Sequence, residues 1–170
     1  MSGAPFRLVS LDGAHDRAAF HSDSEPLNRY LREQVTQDIR RRVAACFVAL
    51  ADGQRIAGYY TLASASLLLG DLPASTGKKL PRYPTVPAVR MGRLAVDQEF
   101  KGRGLGGALL ADALDRATRS EIAAFALMVD AKDETAVAFY RHHGFMALPN
   151  SRLTLFLPLA TFKPSSFQTV

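Results

Sequence analysis

The chain has 170 residues, 48% hydrophobic and 22% charged, which suits one globular core and is too short for two ordinary domains. Twenty-one Lys and Arg against sixteen Asp and Glu leave a net charge of +5, and the pI near 9.7 favours polyanionic partners over basic ones. The single cysteine, Cys46, excludes an internal disulfide, and with no clustered His pattern, apolar leader or membrane-length apolar run, a reducing, cytoplasmic setting without metal or membrane is expected.

Residues 6–11 alternate weakly and end at Asp12-Gly13, a strand followed by a turn. From Pro26 the apolar residues Leu27, Leu31, Val35, Ile39 and Val43 recur every four positions, which predicts a helix with Arg29, Arg32, Arg40 and Arg41 on its other side. Residues 44–50 are apolar and β-prone, break at Asp52-Gly53 and resume over 56–69, an antiparallel hairpin. Residues 70–87 hold Pro73, Pro81, Pro84 and Pro87, so a long loop is expected there, neither regular helix nor central strand.

A strand over 89–96 leads into a turn at 97–104 and a helix over 105–118, whose stripe is Leu105, Leu109, Leu110, Ala113, Leu114 and Ala117. A strand over 124–129, a helix over 133–142 stopped by Gly144 and a last strand over 153–159 complete the order. This succession implies a single α/β (α+β) domain over residues 1–163, with a mixed, mostly antiparallel sheet flanked by helices and a mobile tail at 164–170.

The turn Lys101-Gly102-Arg103-Gly104-Leu105-Gly106-Gly107 joins a strand to a helix. Glycines allow a tight bend and close approach of a ligand, and the free N–H groups of a first helical turn suit phosphate oxygens. A nucleotide P-loop needs Lys followed by Ser or Thr after its last glycine, whereas here Ala108-Leu109 follow. The dinucleotide pattern G-x-G-x-x-G is met formally by Gly102, Gly104 and Gly107, with Asp130 near the place of its ribose-binding acid. Against it stand the longer turn and the lack of room for further β-α repeats after residue 107.

The run Arg93-Leu94-Ala95-Val96-Asp97 followed by Lys101-Gly102-Arg103-Gly104-Leu105-Gly106 resembles the coenzyme A site of the GCN5-related N-acetyltransferases. Their signature is Gln/Arg-x-x-Gly-x-Gly/Ala, and Lys101 here stands at the Gln/Arg position. About thirty residues on, Asp133-Glu134-Thr135-Ala136-Val137-Ala138-Phe139-Tyr140, followed by Gly144-Phe145, resembles the second signature, with Asp133 at a common Asn position. Phe20, the 27–31 segment Leu-Asn-Arg-Tyr-Leu, Gly58-Tyr59-Tyr60-Thr61-Leu62, Leu80-Pro81-Arg82-Tyr83-Pro84 and Gly92-Arg93 extend the likeness. They resemble the acetyltransferase toxins of toxin–antitoxin pairs, which acetylate the amino acid on charged transfer RNA, are neutralised by a ribbon-helix-helix antitoxin and often form homodimers.

The resemblance implies acetyl-CoA as donor. The edge Leu94, Ala95, Val96 would pair with the pantetheine amides, and N–H groups from Gly102 to Gly107, Leu105 included, would hold the pyrophosphate beside Lys101 and Arg103. Asp133, Ala136 and Phe139 fall in the second signature, and Tyr140 takes the position of the general acid. A phenol of pKa about 10 is close enough to a thiol near 8.5 to share its proton in the transition state. Taken bare, a tyrosine in the last turn of a helix is a core or rim aromatic.

Arg40, Arg41, Arg42, Lys78, Lys79, Arg82, Arg90 and Arg93 are the candidates for the transfer RNA backbone, although each charge run alone reads as a solvated face. Glu99, His142 and His143 are weak candidates for a general base, and Cys46 reads as a core residue. Two alternatives stay open: acetylation of a small amine or a protein N-terminus, and a non-catalytic module binding acyl-CoA or RNA.

Overall fold

The computed structural model describes residues 6–163, so the tail at 164–170 lies outside the described residues. Seven strands form one sheet in the order β1-β2-β3-β4-β5-β7-β6. In chain order they are β1 (Arg7–Ser10), β2 (Ala45–Leu50), β3 (Ile56–Leu68), β4 (Thr85–Val96), β5 (Ala126–Asp130), β6 (Met146–Leu148) and β7 (Ser151–Pro158). The pairs β1–β2, β2–β3, β5–β7 and β6–β7 are antiparallel, whereas β4 and β5 run parallel from Ala88↔Ala126 to Met91↔Val129. The helices are α1 (Glu25–Arg29), α2 (Val35–Arg40), α3 (Ala74–Gly77), α4 (Leu105–Arg119) and α5 (Glu134–His142), which makes the mixed α/β architecture expected of the chain.

Contacts gather into two compact units, residues 6–63 with 92–113 and residues 64–91 with 114–163. In the first, Phe20, Leu31, Val35, Val48, Ile56 and Tyr59 form the core. Tyr59 donates from its hydroxyl to the Leu27 carbonyl at 2.7 Å, tying α1 to β3. The second has its own core of Leu67, Val86, Ala88, Ala126, Met128 and Phe156.

The helix expected from Pro26 is interrupted. Between α1 and α2 lies a π-helical turn, Tyr30–Gln34, in which the Val35 N–H reaches the Tyr30 carbonyl. Four residues of α-helix overshoot a full turn by about 40°, so a strict four-residue repeat drifts unless a wider turn takes up the difference. The π turn does so for Leu31 and Val35, both 0% exposed. Beyond it the α-helical pitch returns and Ile39 (37% exposed) leaves the core, while Val43 (57%) lies past the end of α2 at Arg40. Arg42, with φ 62°, ends the segment in the left-handed region.

The proline-rich stretch is more regular than expected. Pro73 precedes the short helix α3, and β4 begins at Thr85, so Pro87 lies within the strand. Its carbonyl still accepts from the Phe125 N–H at 2.8 Å, a bond that needs no proline N–H. The three-residue β6 was also not foreseen, and the expected strands over 124–129 and 153–159 shift by one or two residues. Gly144 takes the expected left-handed conformation, φ 93°, and the Phe145 N–H closes on the Tyr140 carbonyl at 3.1 Å.

Two contacts set the helices that matter for chemistry. A Cβ at Gly58 would lie 2.8 Å from Leu109 Cδ1 and 3.0 Å from the Ala95 carbonyl oxygen, so α4 rests directly on β3 and β4 there. Asp133 Oδ1 accepts from the Ala136 N–H at 2.9 Å and so caps α5. Gly58→Ala is expected to lower stability by about 1–3 kcal/mol in urea unfolding, because a backbone oxygen cannot move aside. Asp133→Ala should remove about 1 kcal/mol by the same measurement.

Candidate active site

β4 runs five residues past its last pair with β5, Met91↔Val129, so residues 92–96 have no β5 partner. Leu94 and Val96 are half-buried and Ala95 is buried. A strand that outruns its neighbour leaves amide groups to which an extended, amide-bearing chain can add.

Asp97 ends the strand at 2% exposure. Its Oδ1 accepts from the Glu99 N–H and its Oδ2 from the His21 N–H, both at 2.9 Å. The 3₁₀ turn Gln98–Phe100 follows, and then Gly102 and Gly104 with φ 77° and 76°. A Cβ at Gly102 would meet nothing within 4 Å, so this glycine answers to backbone conformation, not to crowding. The Ala108 N–H bonds to the Gly104 carbonyl at 3.1 Å and starts α4. The N–H groups of that first turn have no helical acceptor. Leu105 and Gly107 are buried and Gly106 half-buried, while 101–104 are exposed. This cradle of exposed glycine backbone at a 15-residue helix start fits a pyrophosphate.

Lys101 forms an ion pair with Asp23, and Arg103 holds its guanidinium 5.3 Å from the Phe100 ring centroid. The expectation placed both cations at the phosphates; in this structure each has a partner of its own. Arg55 went unnoticed in the sequence. It pairs with Glu99, lies 3.5 Å from Asp97 Oδ1 and stacks on Phe100 at 5.3 Å. It lies far from the glycine turn in sequence, and no local pattern marks it.

On α5, Ala136 is half-buried and Tyr140 is 7% exposed. Asp133, Ala136 and Tyr140 recur at three and four residues, which puts them on one helix face. Burial, and then the Asp130 carboxylate, push the Tyr140 phenol up to about 12. Its ring sits against Phe139 at 5.2 Å and Phe145 at 5.6 Å, and its hydroxyl makes no hydrogen bond to another described residue. Asp133 uses its carboxylate to cap the helix.

The three weak base candidates are engaged or solvated. Glu99 pairs with Arg55, His142 is exposed, and His143 packs on Phe139 at 4.9 Å with its pKa lowered by burial and then by His142. Cys46 is a core residue whose thiol burial pushes up to about 12. Among the described residues no group of three metal-ligating side chains comes together, and no helix is long and apolar enough to cross a membrane.

The basic candidates divide between the two units. Arg40, Arg41 and Arg42 are exposed at the end of α2, and Arg93 on β4 stacks 3.6 Å above the Tyr30 ring. The Tyr30 hydroxyl donates to Asp38 at 2.7 Å. Hydrogen bonds from Gln34 and then Tyr30 hold the Asp38 carboxyl below its ordinary range. In the other unit Lys78 and Lys79 are exposed after α3, and Arg82 donates to the Gly77 carbonyl at 3.3 Å. Arg90 lies 3.5 Å from Asp130.

Residues 14–145 match the acetyltransferase (GNAT) family. Over 161 residues, 92% of this chain and 93% of the relative, the sequence is 37% identical to a tRNA-acetylating toxin of Mycobacterium tuberculosis. Of the solved structures, AtaT complexed with acetyl-methionyl-tRNAfMet superposes with a TM-score of 0.86 at 29% identity, over 92% of this chain and 96% of that one. AtaTR bound with AcCoA gives 0.80 at 27%, over 92% and 95%. The family match takes in the glycine turn, the capped helix and Tyr140 together, and the chain belongs to the acetyltransferase (GNAT) family.

Proposed function

We propose that this acetyl-CoA-dependent N-acetyltransferase acetylates the α-amine of an aminoacyl-tRNA, so acting as a toxin that stops translation, with Tyr140 as general acid. The observation that carries the acid role is Tyr140 itself, a buried residue whose hydroxyl is unengaged by other described side chains and whose phenol is pushed up to about 12 by burial and then by Asp130.

The coenzyme supplies an acetyl group activated as a thioester. The edge of β4 at Leu94 to Val96, which has no β5 partner, offers amide groups to its pantetheine arm, and the backbone of 102–107 offers N–H donors to its pyrophosphate. Tyr140 gives its phenolic proton to the departing sulfur as the amine nitrogen bonds to the acetyl carbon. The amine proton leaves to solvent, and Tyr140 is then reprotonated.

The substrate class follows from proton chemistry. A lysine ε-amine near pKa 10.4 lies roughly 4–5 kcal/mol from its neutral form at pH 7, whereas an α-amine near 8 is already about a tenth neutral. Glu99 is paired to Arg55, and the Asp130 carboxylate that acts on Tyr140 is itself paired to Arg90 and accepts from Thr154, so the α-amine, which can react without a strong base, is the fitting nucleophile. The exposed Arg40, Arg41, Arg42, Lys78 and Lys79 supply cations for a phosphate backbone. The 37% identical tRNA-acetylating toxin and the AtaT complex with acetyl-methionyl-tRNAfMet support the same reading. A cytoplasmic setting and a separate ribbon-helix-helix antitoxin complete it.

Purified protein incubated with labelled acetyl-CoA and charged transfer RNA should place acetyl groups on the released amino acids. Transfer to small amines or protein N-termini, and none to aminoacyl-tRNA, overturns the substrate assignment. Tyr140→Phe is expected to lower kcat by about 10²-fold with coenzyme A binding retained, as calorimetry would show; unchanged turnover would remove Tyr140 from the acid role. The pH profile of kcat should rise through about 8 as the amine loses its proton and stay level to about pH 10, because Tyr140 remains protonated there. An alkaline limb below that would point to a different acid.

A further inference from the structure

We propose that Arg55 is a positioning residue for the coenzyme. It holds the turn from which the glycine cradle starts, and it cancels carboxylate charge beside the place where the pyrophosphate binds. The inference rests on the reading of residues 102–107 as the phosphate-binding turn.

Arg55 closes the β2–β3 hairpin, and its backbone is fixed on both sides. The Arg55 N–H donates to the Asp52 carbonyl at 2.9 Å, and its own carbonyl accepts from Ala51 at 3.0 Å. From this anchored position the guanidinium touches three of the four residues 97–100. It pairs with Glu99, lies 3.5 Å from Asp97 Oδ1 and stacks on the Phe100 ring at 5.3 Å. An ordinary surface pair contributes little. Here one partner, Asp97, is 2% exposed, and the Arg55 Nε is itself buried without a hydrogen-bond partner, so the side chain is inserted into the turn.

Both consequences bear on an anion. Asp97 and Glu99 put two carboxylates into the segment that leads to Gly102, and without Arg55 neither has this cation against it. Uncompensated, they would repel a pyrophosphate held by the following residues. The Phe100 ring also carries the guanidinium of Arg103 at 5.3 Å, so a displaced Phe100 moves that cation as well. Arg55 therefore acts through Asp97, Glu99 and Phe100 and need not touch the coenzyme.

Coenzyme A titrated calorimetrically into wild type, Arg55→Met, Arg55→Lys and Arg55→Met/Glu99→Gln tests this, with thermal melts alongside. Arg55→Met should raise Kd about tenfold, equivalent to about 1.4 kcal/mol. KM for acetyl-CoA should rise in step while kcat at saturation is kept. Arg55→Lys keeps the charge without the planar fork and should lose roughly threefold. The double variant should recover part of the loss by removing one unpaired carboxylate. A folded Arg55→Met with wild-type Kd, or a fall in kcat at unchanged KM, overturns the inference. If Arg55→Met does not fold, Arg55→Lys decides, and wild-type Kd in that variant overturns the inference. Wild-type protein that binds no coenzyme A overturns the underlying reading and the inference with it.

Discussion

A carboxylate buried to 2% exposure destabilises a protein unless hydrogen bonds and an opposite charge answer it, and Asp97 is answered from three separate parts of the chain. Its own turn contributes the Glu99 N–H, the segment before α1 contributes the His21 N–H, and the hairpin contributes Arg55. The Asp97 N–H bonds to the Ala57 carbonyl at 2.8 Å, one residue from the glycine on which α4 rests. The end of β4, the 3₁₀ turn and the start of α4 thus share one set of constraints. A glycine cradle needs that rigidity, because φ values near 76° leave the turn itself few ways to hold its shape.

Much of the fold was legible because its signals are local. The hairpin breaks at Asp52-Gly53, α4 shows an apolar stripe that begins at a run of glycines, and α5 lies between a capping aspartate and Gly144. What escaped depends on partners distant in sequence or on competing geometry. β6 has three residues and no period to read, and it exists through its pairing with β7. Prolines argued against a strand anywhere in 70–87, yet β4 begins at Thr85, and a proline carbonyl can still accept from a neighbour, as Pro87 does from Phe125. The four-residue repeat was real up to Val35; past the π turn that sustained it Ile39 turns outward, and Val43 falls beyond the end of α2.

The candidate site divides in the same way. The glycine turn and the second signature could be read because backbone chemistry imposes spacing. Arg55 could not, because an arginine's partners are chosen by the fold. Burial alone makes no distinction between Tyr140 and Cys46, both weak acids pushed up to about 12; in the sequence only the resemblance marked Tyr140 as the acid, and Cys46 read as a core residue. The environment separates them. Cys46 sits in a β2 core with Val48 and Tyr59, whereas Tyr140 lies on α5 with its hydroxyl unengaged by the described residues.

The ion pair between Lys101 and Asp23 carries one more consequence. For the proposed pyrophosphate this ammonium comes already provided with an internal counter-ion, so binding there would be an exchange of one negative partner for another. The attraction gained would be the difference between two ion pairs, and with both side chains about half exposed each of those is small. Asp23, bonded also to Gln98 at 3.0 Å, would in this sense be a competitor built into the chain for any anion the turn takes up.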